Sequence, residues 1–339
     1  MKCFVTGATG HIGNVLVRDL YAAGHDVTAL VLPKDNHKMI DPYAKIVVGN
    51  ILDSDFLYEC LKSFDIVFHL AGIVEIGSGK KKQLYAVNVQ GTKNIVQACL
   101  KNNIKRLVYT SSVHAIPELK KGCTMCEVDD FDPRLVKGHY AKTKAIATSY
   151  VFSQRNKGLE IVVVHPSGVI GPYDYQLSNV SQLFIDYLSG RLTAYLKGGY
   201  NFVDVRDVAR GIRLAGEKGK NGECYILSGH EITVKELLDL IADYTGKKRI
   251  KTKLAYWFIL AMSYFAELYY ITIKQKPLFT HYSIVVLNSN CAFNNLKAKS
   301  QLGFRARPIA ESVKDALNFS RENYLEKING RYRRKLQIE

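Results

Sequence analysis

Cysteine is scarce in this chain. There are seven in 339 residues, spread over the length and odd in number. Such usage points to free thiols in a reducing compartment. The start, MKCFVTGATG, enters a strand with no apolar leader, so a cytoplasmic protein is expected. Cys123 and Cys126 form a C-x-x-C, but the second cysteine pair or the two histidines that zinc would need are missing. They are read as loop cysteines, and no metal is expected. Acid is also in short supply, with 31 acidic against 47 basic residues and a net charge of +16. Basic clusters lie at Lys80–Lys82, Lys247–Lys253 and Arg331–Lys335. That field would attract anions, but no nucleic-acid module accompanies it, so no DNA or RNA partner is expected. Internal repeats, low-complexity tracts and long polar linkers are absent. The second half is therefore expected to pack on the first as a lobe.

What is present begins with alternation. Short, β-branched apolar runs at Lys2–Thr6, Val27–Leu32, Lys45–Val48, Ile66–Leu70, Leu107–Thr110 and Ile161–Val164 read as strands buried on both faces. Helical stretches His11–Ala23, Asp55–Ser63, Gln83–Lys101 and His139–Asn156 separate them. Strand–helix alternation predicts an α/β fold, a doubly wound parallel sheet with helices on both faces. After His165, Pro166, Gly168, Gly171 and Pro172 break the pattern. Asn201–Val208 reads as a return to the sheet layer. Thr233–Thr245 reads as a helix capped by Thr233, with Glu236 three residues on and Gly246 past its end. The division expected is 1–165, with 201–228 returning to it, as the dinucleotide-binding part. Residues 166–200 and 229–330 form a smaller, mostly helical lobe, and 331–339 a basic tail.

Leu254–Ile273 is the most apolar run, and its twenty residues could span a bilayer. Trp257, Leu260, Ala261, Tyr264, Phe265 and Leu268 follow helical spacing. Helices closing a substrate pocket are the reading preferred. A peripheral membrane contact is the alternative.

Three stretches carry chemistry. In VTGATGHIG a strand ends, the chain turns on Gly7, Gly10 and Gly13, and a helix begins. The spacing has one residue more than Gly-x-Gly-x-x-Gly in its first gap. The free N–H groups of such a helix start favour a pyrophosphate. At the end of the second strand stand Val31 and Leu32, where an acid would bind a ribose 2′-hydroxyl. Lys34 and Lys38 follow, so NADP is favoured over NAD, with Asp35 as an alternative, displaced ribose ligand. Asn50 and Ile51 are expected near the adenine, and Leu70, Ala71 and Gly72 beneath the dinucleotide. Ser111 and Ser112 end a strand. Tyr140 and Lys144 stand four residues apart on a helical stretch, so phenol and ammonium share one face. The ammonium is expected to lower the phenol's pKa.

Together, TGATGHIG, HLAG, VNVQGTKNIVQAC, YTSSVHAI, Tyr140-x-x-x-Lys144, HPSGVIGP and FVDVRDVARGI resemble the extended short-chain dehydrogenase/reductase family over nearly the whole chain. KPLFTHYSIVVLNSNCAFNNLKAKSQLGF adds to the likeness. The chain looks most like dihydroflavonol-4-reductase-like and 3β-hydroxysteroid dehydrogenase-like members. The resemblance implies a Rossmann-type fold. It implies that Tyr140 is the general acid in reduction, that Lys144 holds the nicotinamide ribose, and that Ser112 rather than Ser111 bonds the substrate carbonyl. Thr9, His11 and Ile12 of the glycine turn would touch cofactor. Pro166, Ser167 and Val169 would border the nicotinamide, and Asn88 would support the site. His114 is expected at the substrate or, equally, as a loop histidine bonded to backbone. Tyr173 and Trp257 are expected in an aromatic cover over the substrate.

The function this implies is hydride transfer to an aldehyde or ketone on a bulky apolar substrate. The alternative is a sugar-nucleotide epimerase or dehydratase with tightly held NAD. A non-catalytic dinucleotide sensor is a third reading, opposed by the retention of Ser112, Tyr140 and Lys144. The family often dimerises through the helices that include Tyr140, so a homodimer is the assembly it suggests.

Overall fold

The computed structural model describes residues 1–74, 81–255 and 281–329. Seven parallel strands make the main sheet, in the order β3 (Lys45–Val48), β2 (Asp26–Val31), β1 (Lys2–Thr6), β4 (Ile66–His69), β5 (Arg106–Thr110), β6 (Glu160–Pro166) and β10 (Glu223–Leu227). All four residues of β4 are buried, as a strand covered on both faces requires. One face is covered by α1 (His11–Ala22) and α7 (Val205–Lys218), with Leu16, Leu20, Val208 and Ile212 in its core. The other is covered by α2 (Ser54–Cys60), α4 (Thr92–Lys101) and α5 (His139–Ser153), with Leu57, Ile95, Ala145 and Val151 in the core there. The winding reverses between β1 and β4. In open parallel sheets such a reversal opens a crevice at the carboxyl ends of the strands.

The lobe is built from α6 (Asn179–Leu188), α8 (Val234–Thr245), α9 (His281–Leu287), α10 (Ile309–Asn323) and α11 (Leu325–Ile328) with two small sheets. One orders β11 (His230–Thr233), β9 (Gly199–Asp204) and β7 (Gly168–Ile170). The other pairs β12 (Thr252–Leu254) with β8 (Ala194–Leu196). Helix α8 carries the capping box read from sequence: Thr233 Oγ1 accepts from the Glu236 N–H, the Glu236 carboxylate accepts from the Thr233 N–H, and Gly246 closes the helix at φ 69°.

Two expectations are corrected. Asn201–Asp204 does not rejoin the large sheet but pairs within the small one, and the return is made by α7 and β10. The stretch 83–101 is not one regular helix. A short α3 (Lys81–Tyr85) passes into a π-turn over Ala86–Gly91 before α4. A Cβ on Gly91 would lie 2.4 Å from Ile51 Cδ1, so the turn packs flush on the β3–α2 loop. No described helix is long and apolar enough to cross a membrane. The expectation for the 254–273 run lies, beyond its first two residues, outside the described residues.

Candidate active site

The glycine turn follows β1 at the crevice. Gly7 has φ 70°, and a Cβ there would meet the Ala71 nitrogen at 2.6 Å. A Cβ on Gly13 would reach the Gly7 carbonyl oxygen at 2.0 Å. The two loops therefore touch through backbone. Helix α1 starts at Gly10 with no side-chain cap and no acid in its first turn. Its first N–H groups are left to an anion, and the residues present fit a dinucleotide pyrophosphate. His11 Nε2 pairs with the Pro172 carbonyl at 2.9 Å, and Gln176 Nε2 donates to the Thr9 carbonyl at 3.4 Å.

The β1 and β4 loops are joined to the π-turn by one polar chain. The Ala71 N–H donates to Thr6 Oγ1 (3.2 Å), and Thr6 Oγ1 lies 2.7 Å from His69 Nδ1. His69 Nε2 lies 3.0 Å from Thr92 Oγ1, which donates to the Asn88 carbonyl (2.8 Å). Since the Thr92 proton is spent on Asn88, His69 carries its own proton on Nε2 and accepts from Thr6. Burial pushes His69 down to about 3, so the ring is neutral. The Asn88 side chain accepts from the Ile73 N–H and donates to the Ile73 carbonyl and to Thr143 Oγ1.

Tyr140 and Lys144 lie on α5, which starts after Gly138 at φ 91°. Both are buried. Lys144 Nζ donates to the Thr110 carbonyl at 2.8 Å, and burial lowers it to about 8. A Cβ on Gly72 would stand 3.5 Å from that nitrogen, which places the β4 loop directly over the amine. Tyr140 is pushed up to about 12 by burial, against the lowering effect of a hydrogen bond with Ser112. The expectation that the ammonium makes this phenol acidic near neutral pH is thus corrected. Desolvation outweighs the other influences on the phenol, and it stays protonated.

The two serines separate cleanly. Thr148 Oγ1 donates to the Lys144 carbonyl (2.7 Å), so Ser111 Oγ donates to Thr148 Oγ1 at 2.6 Å and is spent inside the fold. Ser112 Oγ accepts from the His114 N–H at 3.2 Å and faces Tyr140. His165, which burial holds neutral at about 4, pins the Ser112 carbonyl through Nδ1 at 3.0 Å. The His114 ring stacks on Tyr200, with Nε2 2.8 Å from the Tyr200 hydroxyl, and meets the Tyr140 ring edge-on at 6.0 Å. Burial lowers His114 to about 4. A cavity of about 50 Å³ opens there, lined by His114, Tyr200, Val113, Met125, Val285 and Phe293 among others.

The remaining expected residues divide. Pro166 ends β6, Val169 is half-buried in β7, and Ser167 Oγ donates to Asn201 Oδ1 at 2.9 Å. Ile12 is half-buried and packs against the core of the α1 face, and Leu70 does the same from the β4 loop. Asn50 caps its own turn by accepting from the Leu52 N–H, and Ile51 is buried against Gly91. Lys34 is exposed beyond β2. Tyr173 does not line the cavity: its ring lies under Arg18 (4.8 Å) and against Phe319, beside α1. Trp257 is outside the described residues. Tyr200, Asn201 and the Thr6–His69–Thr92 chain went unread from sequence, because each meets its partner across a long separation with no local signal. Among the described residues no cluster of His, Cys, Asp or Glu could hold a metal, and Cys123 and Cys126 are exposed.

A family model described as NAD dependent epimerase/dehydratase family matches residues 3–228. Sterol demethylase protein B of Methylococcus capsulatus is 30% identical over 329 residues, 95% of this chain and 99% of that protein. A putative dihydroflavonol 4-reductase of Synechocystis is 30% identical over 321 residues, 93% of each. The crystal structure of gox2253 superposes with a TM-score of 0.83 at 31% identity, over 95% of this chain and 98% of that one. The glycine cradle, the parallel sheet that carries it and the family model over two-thirds of the sequence agree, and the chain belongs to the NAD dependent epimerase/dehydratase family, with a Rossmann-type fold and the stamp of an oxidoreductase.

Proposed function

We propose that this chain reduces an aldehyde or ketone on a bulky, apolar small molecule to the alcohol. What supports the proposal is the hydrogen bond between Ser112 and Tyr140 just past β5, with Lys144, one helical turn after Tyr140, donating to the Thr110 carbonyl at the end of that strand. A bound nicotinamide dinucleotide would supply the hydride. The protein's part is to orient and to move a proton. Ser112 Oγ donates to the carbonyl oxygen as charge builds there. Tyr140, protonated at neutral pH, gives its proton to the same oxygen. Lys144, which donates to the Thr110 carbonyl beneath Gly72, would bond the nicotinamide ribose. His114, neutral and tied to Tyr200, lines the cavity with Val113, Met125 and Phe293 and with the polar Glu118, Lys137 and Asn290.

Two relatives whose names refer to a sterol and to a dihydroflavonol support a bulky apolar substrate. For the cofactor, exposed Lys34 and Lys38 support NADP and Asp35 opposes it. A homodimer through α5 belongs to the same proposal and is read by sedimentation. The activity test is consumption of NADH and NADPH with a panel of ketosteroids and aromatic aldehydes, with Tyr140→Phe beside the wild type. The proposal expects turnover that Tyr140→Phe abolishes. Cofactor binding with no turnover across the panel defeats it, and copurified NAD with no net consumption favours the epimerase alternative.

A further inference from the structure

We infer that Tyr200 is a positioning residue for Ser112: its phenol fixes the His114 ring, and the His114 N–H in turn aims the Ser112 hydroxyl. The inference rests on the reductase reading of the site and deepens it. Ser112 starts a single 3₁₀ turn over Val113–Ala115, and its Oγ accepts from the His114 N–H at 3.2 Å. A hydroxyl has one proton and two lone pairs. With one lone pair taken by that N–H, the proton turns away from the backbone, toward the side on which Tyr140 lies. The placement of residue 114 therefore sets the direction of the serine. A 3₁₀ turn this short has poor hydrogen-bond geometry of its own. Its leading carbonyl, on Ser112, is pinned by His165 Nδ1 at 3.0 Å, and its middle is held through the His114 ring.

That ring is gripped from the lobe. Tyr200 lies on β9, stacks on the imidazole at 5.9 Å between centroids and 19° between planes, and sets its hydroxyl 2.8 Å from Nε2. The imidazole is neutral, and either tautomer closes this bond with one proton. Tyr200 is itself fixed. A Cβ on Gly168 would lie 2.6 Å from its Cδ1, so the ring sits flush on β7, and Phe202 meets it at 5.7 Å. Its backbone is registered against Ile232 where β9 pairs with β11. The small sheet thus reaches the serine through two rings. A residue that merely lines the cavity acts on substrate affinity. A residue that aims a donor acts on the rate, because the donor's bond to the carbonyl oxygen strengthens as charge develops. Its effect also disappears once the donor is gone.

The test is a double-mutant cycle on single-turnover hydride transfer by the full-length protein, with the reduced nucleotide saturating and a ketosteroid or aromatic aldehyde that the wild type reduces. Tyr200→Phe keeps the ring, its stacking and its fit on Gly168, and removes the hydroxyl. It should lower the rate about ten-fold, the scale of one hydrogen bond. KM for the carbonyl substrate and the dissociation constant of the nucleotide should each move by less than about two-fold. In a Ser112→Ala background the same substitution should change the rate by less than about two-fold. His114→Phe breaks the bond from its other end and should show the same dependence on Ser112. A wild-type rate in Tyr200→Phe overturns the inference, and so does an equal loss with and without the Ser112 hydroxyl. A raised KM at unchanged rate also overturns it, by making Tyr200 a substrate contact. Each of these leaves the reductase reading standing. If the folded wild type binds nucleotide but reduces no carbonyl, the reductase reading fails, and the inference fails with it.

Discussion

The sharpest division of labour in the site is between two adjacent serines, and replacing each by alanine should give opposite signatures. Ser111→Ala removes a buried 2.6 Å bond to Thr148. Thr148 keeps its own bond to the Lys144 carbonyl, so no donor is stranded. A net loss of about 1 kcal/mol of stability is expected, with a catalytic change below about three-fold. Ser112→Ala removes the hydroxyl that faces Tyr140 and leaves the His114 N–H without its acceptor. About 1–2 kcal/mol of stability is at stake there. The catalytic loss should be far larger, about 10²–10³ in kcat, because in the proposed reaction the missing donor bonds the oxygen on which charge develops. Urea denaturation gives the first quantity, and single-turnover hydride transfer at saturating cofactor gives the second. If Ser111→Ala loses as much rate as Ser112→Ala, the assignment of the two hydroxyls is wrong. The same follows if Ser112→Ala keeps full rate.

Gly13→Ala forces a Cβ to 2.0 Å from the Gly7 carbonyl, backbone against backbone, whereas Gly10→Ala meets only that oxygen at 3.2 Å. The first should cost about 3 kcal/mol in urea denaturation. The second should leave stability nearly intact yet weaken NADH binding, and equal stabilities would refute the packing. His69, His114 and His165 are held neutral, at about 3, 4 and 4, while in the unfolded chain each takes a proton near 6.5. The unfolded state then binds more protons, so stability is fully present above about pH 6.5 and is lost as pH falls toward 4, by roughly 1.4 kcal/mol per unit for each histidine at most. Urea midpoints that stay level between pH 6.5 and 5 would contradict this. Arg307 donates to the buried Asp207 carboxylate through Nε (3.1 Å) and Nη2 (2.8 Å). Arg307→Met should cost about 3–5 kcal/mol, and Lys62→Met, whose parent pairs Glu59 in the open, next to nothing.

What was readable in the sequence was what local chemistry decides. The β-branched runs of β1, β4 and β5, the glycine turn, and the Thr233–Glu236–Gly246 punctuation each act within a few residues. The pairing of Tyr140 with Lys144 on one helical face is equally local. The π-turn was hidden because 83–101 keeps helical periodicity throughout, and what widens it is Asn88 reaching Ile73 and Thr143. The small sheets were hidden because β7 and β8 have only three residues each. His114 and Tyr200 stand 86 positions apart, and nothing near either announces the other. The phenol's raised pKa was misjudged because sequence shows a neighbouring ammonium but not the depth of burial.

The polar chain from Ala71 to Asn88 begins on an amide that can only give and ends on a carbonyl that can only receive. A Grotthuss relay needs every link to reverse, and neither terminus can. The imidazole at its centre is therefore an insulator, although β4, which carries it, pairs directly with β5. In the proposed reaction, proton traffic would be confined to the Ser112–Tyr140–Lys144 side, and a neutral ring is spent as a spacer of fixed polarity that binds the β1 and β4 loops to the π-turn.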